Sequence, residues 1–174
     1  MADPITSPAG PLQKWSLALV FVGMAAVLLG ALGFQHIGGY VPCKLCLEQR
    51  EPYYFAIPIA AIALVVAMRN GPACLTRGAL AIAGFAMLYT LALAVHHSGV
   101  EWAWWPGPTD CGAVADGVSK DAGDLFSNLA HTKAPSCDQA AGRFLGLSFA
   151  GWNAVAAVGL AAIALRAAFT QRTA

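Results

Sequence analysis

Four long, nearly uncharged runs dominate the pattern of apolar and polar positions along the chain. The hydrocarbon core of a membrane is about 30 Å thick, and a helix rises about 1.5 Å per residue, so about 20 apolar residues are needed to cross it. Each run approaches that length. The pattern therefore predicts four membrane-spanning helices, at about residues 15–34, 53–69, 78–95 and 144–165.

The composition agrees with a membrane protein. Of the 174 residues, 58% are hydrophobic and only 11% are charged, against about 25% charged in an average soluble domain. The formal net charge of +1 gives no basic field for nucleic acid. We predict an all-α membrane protein, a four-transmembrane-helix bundle that forms a single integral membrane domain over residues 1–174.

The arginines predict how this bundle is oriented. The connection between the second and third spans carries two arginines and no acid, and so does the C-terminal tail. The positive-inside rule places both segments, and both termini, in the cytoplasm. The opposite side then holds the connection 35–52 and a long loop, 96–143, between the third and fourth spans. In a bacterial inner membrane that side is the periplasm.

The five cysteines divide between the two sides. Cys43 and Cys46 form a C-x-x-C, a spacing that lowers thiol pKa values in redox proteins. Cys111 and Cys137 lie in the long loop, so all four face a compartment in which disulfides persist. We expect Cys74, in the arginine-bearing connection, to stay reduced and to take no part in the chemistry.

Two structural explanations compete with redox chemistry for the four outside cysteines. One is a non-catalytic membrane scaffold or adaptor with two structural disulfides. The other is a Cys₄ zinc site, although only one of the two pairs has the close spacing of zinc ligands. A zinc ribbon needs two tight pairs, so we predict no metal site.

Arg50 favours the redox interpretation, because it lies four residues after Cys46 and a guanidinium there would favour a thiolate. Its alternative roles are an interfacial anchor or a partner for Glu48 or Glu51. The chain contains neither a dinucleotide-binding fingerprint nor a c-type haem motif. A quinone dissolved in the bilayer is therefore the electron acceptor that fits best.

The chain resembles the DsbB family of quinone-dependent disulfide-forming membrane proteins along most of its length. The stretches that carry the resemblance are Phe34-Gln35-His36, Pro42-Cys43-x-x-Cys46-x-x-x-Arg50, a Pro-x-Pro just before Cys111, and Cys137 followed by Arg143-Phe144-Leu145-Gly146-Leu147. The DsbA–DsbB–quinone system keeps the bacterial periplasm oxidising.

The resemblance implies a disulfide relay. A Cys111–Cys137 disulfide would oxidise a soluble periplasmic thioredoxin-like, DsbA-like partner. The Cys43–Cys46 pair would then reoxidise the loop pair, and ubiquinone or menaquinone would take the electrons. In this scheme Cys46 is the thiolate beside the quinone.

The same resemblance implies two quinone-binding side chains, Arg50 and a histidine at the start of the long loop, His97 or His96. The chain departs from the family pattern at Gln49, where the family has an acid, and at Pro52. The vitamin K epoxide reductase type is a weaker match, because its C-x-x-C lies near the last helices, whereas here it follows the first span.

Overall fold

The computed structural model describes residues 7–108 and 137–170, which are mainly helical. In chain order the elements are α1 (Pro11–His36), α2 (Lys44–Glu48), α3 (Glu51–Met68), α4 (Ala73–Glu101), β1 (Arg143–Phe144), β2 (Leu147–Ser148) and α5 (Phe149–Phe169). Within the described ranges, four helical segments are long and apolar enough to cross a membrane: α1, the run Lys44–Met68, α4 and α5. The predicted four-helix architecture is confirmed.

Prolines and one serine set where the helices begin. Pro11 is the first residue of α1, and Pro52 lies in the first turn of α3, where its missing N–H costs no helical hydrogen bond. Pro72 immediately precedes α4. The Ser148 hydroxyl accepts a hydrogen bond from the Gly151 N–H at 3.2 Å and so caps α5.

The fourth spanning helix, α5, begins at Phe149, five residues after the start of the predicted span at 144. Strands β1 and β2 pair antiparallel there and form a hairpin. Leu145 and Gly146 between the strands have φ values of 51° and 85°, the two positive angles that a tight hairpin turn requires. Because residues 144–147 of this hairpin carry no polar side chain, composition alone did not distinguish them from the helix that follows.

The predicted loop 96–143 also begins later than expected, because α4 continues to Glu101. Helix α4 ends just before Ala103, whose φ of 55° is incompatible with a right-handed helix. The extra turns carry His97 and Glu101 towards α2. The predicted connection 35–52 likewise contains the whole of α2 and the first residues of α3.

Small side chains let the helices of the bundle approach one another closely. At Gly84 in α4, an added Cβ would lie 2.5 Å from Cδ2 of Leu165 in α5, so a larger residue at this crossing would have to displace the Leu165 side chain. Large apolar side chains such as Leu29, Ile62 and Phe85 are exposed, as expected for surfaces that face lipid. The main buried core consists of Leu17, Val20, Met24, Tyr53, Leu80, Met87, Leu160 and nine alanines of α3, α4 and α5.

The segments with predicted cytoplasmic locations meet at one end of the bundle. The Ala73 N–H donates to the Ser7 carbonyl at 2.8 Å, and Arg77 Nε donates to the Ala168 carbonyl at 2.8 Å. Cys74, an exposed free thiol, lies at this end. The C-x-x-C packs near the opposite end of α4.

Candidate redox site

The C-x-x-C opens the short helix α2. Cys43 is the residue that caps this helix, and its Sγ accepts a hydrogen bond from the Cys46 backbone N–H at 3.4 Å. The two Sγ atoms are 3.1 Å apart, and both cysteines are free thiols. Arg50 follows as the N-cap of α3, so the turn that carries the cysteines is separate from the spanning helix.

Cys43, and not Cys46 as the resemblance implied, is the sulfur whose surroundings favour the thiolate. It is buried, and His97 Nε2 lies 3.6 Å from its Sγ. The hydrogen bond with the Cys46 thiol lowers the pKa of Cys43 to about 4, with a further contribution from His97 and against the opposing effect of burial. When Cys43 is ionised, its Sγ accepts from the Cys46 thiol as well as from the Cys46 backbone N–H.

Cys137 reaches this site from the far end of the long loop. It is disulfide-bonded and almost completely buried, with 1% of its surface exposed. It shares one buried cluster with Cys43 and Val100, and Cys46 packs against that cluster. Its predicted partner, Cys111, lies outside the described residues. The structure therefore brings an oxidised cysteine against the reduced C-x-x-C.

A chain of buried polar side chains extends from His97 across three helices. Gln49 Nε2 lies 2.8 Å from His97 Nδ1 and donates to the Leu45 carbonyl at 3.1 Å. Asn153 Nδ2 donates to Gln49 Oε1 at 2.8 Å, and the Tyr53 hydroxyl donates to Asn153 Oδ1 at 2.7 Å. Together these bonds link α4, the α2–α3 turn, α3 and α5 at the level of the cysteines.

A cavity of about 500 Å³ opens beside the C-x-x-C, between α1, α3 and α5. Arg50 lines it and is tied to α1, because its guanidinium donates to the Gln35 side chain and, at 3.5 Å, to the Ala31 carbonyl. Both cysteines also line it. Its apolar walls include Val27, Leu28, Phe34, Val41 and Phe149.

Of the two candidate histidines, the structure brings His97 to the cavity. His97 is 3% exposed and lines the wall, with Nε2 3.8 Å from Glu101 Oε1. His96 is exposed; its ring stacks on Trp105 at 5.8 Å, and the Trp105 indole N–H donates to its carbonyl at 2.9 Å.

Four of the predicted site residues therefore lie around one cavity: Cys43, Cys46, Arg50 and His97. The sequence analysis treated Gln49 only as a departure from a family pattern and did not identify Tyr53 or Asn153. One signal was available for Asn153, since a polar amide inside an apolar span marks a position that needs a polar partner.

The only group of possible metal ligands among the described residues is Cys43, Cys46 and His97, whose ligand atoms lie within 4.8 Å of one another. Thiolate and imidazole are ligands that zinc accepts. This set differs from the four-cysteine site considered from the sequence, because Cys137 is in a disulfide and has no thiolate to offer.

Together, the four spanning helices and the buried cysteine pair define a helical membrane protein with a redox-type dithiol. The family model described as Disulfide bond formation protein DsbB matches residues 13–167. The chain belongs to this family of membrane proteins involved in disulfide bond formation.

Curated relatives support the same assignment. The disulfide bond formation protein B of Saccharophagus degradans is 32% identical over 163 residues, which cover 89% of this chain and 92% of the relative. The protein of the same name from Aromatoleum aromaticum is 33% identical, with 81% and 86% covered. That of Methylococcus capsulatus is 31% identical, with 89% and 93% covered. No solved structure gives a significant match.

Proposed function

We propose that this protein is a thiol:quinone oxidoreductase that reoxidises a soluble periplasmic thioredoxin-like, DsbA-like oxidant. The observation that carries the proposal is the presence of disulfide-bonded Cys137 in one buried cluster with the reduced Cys43–Cys46 pair, beside a largely apolar cavity. A disulfide relay needs an oxidised cysteine close to a reduced pair, because exchange requires direct contact between sulfur atoms.

The relay begins at the loop disulfide, for which we propose the pairing Cys111–Cys137. A thiolate of the partner attacks Cys111, and Cys137 leaves; the partner's second thiol then releases Cys111, so the partner loses two electrons and the loop pair gains them. Cys137 next attacks Cys43 of the Cys43–Cys46 disulfide, and Cys46 leaves. Attack of Cys111 on Cys137 restores the loop disulfide and releases Cys43 reduced.

In the proposed relay, free Cys43 and Cys46 together with an oxidised Cys137 are the state that follows this transfer. With Cys43 as the thiolate and Cys46 as the thiol, closing their disulfide releases two electrons and one proton. The shared buried cluster of Cys137 and Cys43 supports Cys43 as the sulfur that exchanges with the loop.

The cavity fits a quinone ring. Its walls are mainly apolar, and Arg50 and His97 supply a small number of polar groups at the end that carries the cysteines. A ubiquinone or menaquinone held there would accept the two electrons of the dithiol and take its second proton from water. Arg50 would donate hydrogen bonds to a carbonyl oxygen, and Phe34 and Phe149 would enclose the ring.

The direction of electron flow follows from redox potentials, and the location follows from the distribution of arginines. A partner with a potential of about −120 mV can be reoxidised only by a stronger acceptor, which a membrane quinone supplies. The proposed location is the bacterial inner membrane, with the C-x-x-C at the periplasmic face. Both termini and the connection that carries Cys74 would face the cytoplasm.

The test is turnover by the purified full chain in detergent with a reduced thioredoxin-like oxidant and a quinone. Thiol content and quinone absorbance are followed together, and we expect one quinone reduced per partner disulfide formed. Cys46→Ser should abolish quinone reduction, whereas Cys74→Ser, a matched change at the opposite end of the bundle, should leave it unchanged. Failure of quinone reduction, with cysteines that resist mild dithiols, would favour a structural scaffold.

A further inference from the structure

The buried amide of Gln49 has a fixed direction. Its Nε2 donates to the Leu45 carbonyl at 3.1 Å, and its Oε1 accepts from Asn153 Nδ2 at 2.8 Å. Reversing the amide would put oxygen against the Leu45 carbonyl and nitrogen against a donor. Asn153 is oriented in turn by the hydroxyl of Tyr53, which is 2% exposed. The second N–H of Gln49 therefore points at His97 Nδ1, 2.8 Å away.

This direction determines where His97 carries its proton. A nitrogen that faces an N–H donor must offer a lone pair, so Nδ1 is unprotonated and the proton of the neutral ring lies on Nε2. The other side of the ring agrees, because Nε2 faces two groups that accept when ionised. Cys43 Sγ is 3.6 Å from it, and Glu101 Oε1 is 3.8 Å from it.

We propose that Gln49 is a positioning residue that fixes the tautomer of His97, with the lone pair on Nδ1 and the proton on Nε2. The Nε2–H then faces Cys43 and selects this sulfur as the thiolate of the reduced pair. The choice of Cys43 as the thiolate matters for turnover only if the protein has the proposed function. Gln49 acts through His97 and does not itself contact the sulfur atoms.

The same geometry distinguishes a His97 ring with its proton on Nε2 from two alternatives, a bound metal ion and a ring protonated on Nδ1. A metal bound by Cys43, Cys46 and His97 would need the Nε2 lone pair, which the proton occupies. An acid in place of Gln49, as in the family pattern, would accept a hydrogen bond from Nδ1–H and so favour a proton on that nitrogen. In this chain the acid is replaced by an amide that is held by Asn153.

The experiment reads the ring nitrogens directly. The full chain, labelled with nitrogen-15 in histidine, is reduced in detergent, and its ring nitrogen chemical shifts are recorded at about pH 8, where an imidazole is ordinarily neutral and its tautomer can be read. His97 is assigned by loss of its signals in His97→Asn. We expect an unprotonated Nδ1 and a protonated Nε2.

Two variants remove the constraint while nearly keeping the side-chain shape. Gln49→Met removes the donor, so the tautomer with the proton on Nδ1 should become populated. Gln49→Glu places an acceptor there and should show a protonated Nδ1. The charged and titratable groups around the ring are Cys43 and Cys46 beside α2 and Glu101 on α4, with Arg50 across the cavity.

Gln35→Glu is the matched control, because it adds the same charge to the cavity lining without touching His97. Its His97 signals should equal those of the wild type. A protonated Nδ1 in the wild type, wild-type signals in both Gln49 variants, or an equal change in Gln35→Glu would overturn the proposal. The measurement uses neither partner nor quinone. If the histidine signals are as expected but the protein fails to reduce quinone, the proposed function is refuted and the role of Gln49 still stands.

Discussion

Replacing Arg50 by glutamine tests whether Arg50 binds the quinone that accepts the electrons of the dithiol. Arg50 is half-buried, and of the five N–H groups of its guanidinium the described residues accept two hydrogen bonds, at Gln35 and Ala31. The remaining donors can serve a ligand oxygen in the cavity. A hydrogen bond to a charged group contributes about 1.5–3 kcal/mol, so Arg50→Gln should raise the apparent KM for quinone by about 10- to 150-fold.

The assay is quinone reduction at varied quinone and varied partner concentrations. The KM for the partner should stay within about twofold, since Arg50 lines the cavity and not the Cys137 cluster. Arg77→Gln is the matched control, because Arg77 is also half-buried and also bonds a helix carbonyl, but at the opposite end of the bundle. An unchanged quinone KM in Arg50→Gln, or an equal rise in Arg77→Gln, would return Arg50 to the role of a membrane anchor.

Three further outcomes are expected. Membrane-impermeant maleimide applied to intact cells after mild reduction should label Cys111 or Cys137 and spare Cys74; labelling of Cys74 alone would invert the topology. The alkylation rate of Cys43 in the reduced protein should be nearly constant between about pH 6 and about pH 8, because its pKa lies near 4; a steep rise would contradict that value. The lowered pKa also stabilises the reduced fold above the unfolded pKa, and this contribution is lost as the pH falls through about 4. Cys137→Ser, mixed with a partner that lacks its resolving cysteine and carries its remaining cysteine as a mixed disulfide with a small leaving thiol, should form a covalent complex through Cys111, because the Cys111 thiolate displaces that small thiol; mass spectrometry that places the bond on Cys43 or Cys46 would reverse the proposed order.

The four spans could be predicted from the sequence because lipid imposes one strong requirement, a long run without charge. The exact ends of these helices were harder to predict from the sequence. Residues 144–148 are mostly apolar like the helix after them, and only the backbone angles of Leu145 and Gly146 show that a hairpin stands there. At α4, the helix continues through His97 to Glu101 because polar residues at a membrane surface are compatible with helix.

The cysteines and Arg50 could be predicted because their chemistry is local and their spacing is short. The residues that orient His97 could not. Gln49 and Asn153 are 104 positions apart, and their contact exists only because α5 packs beside the turn between α2 and α3. The choice between His96 and His97 likewise depends on which side of α4 faces the cavity, and this is set by helix packing.

The start of α2 explains why the two sulfurs of one dithiol have different surroundings. Cys43 caps the helix, so its sulfur receives the Cys46 N–H and lies in the buried cluster with Cys137. Cys46 comes one turn later and interacts electrostatically with Arg50. In the proposed relay, the pair can therefore exchange with the loop through Cys43 while Cys46 adjoins the arginine side of the cavity. A helix that began three residues later would make Cys46 the cap and exchange the two environments, so the position of this one helix start assigns each sulfur its side of the relay.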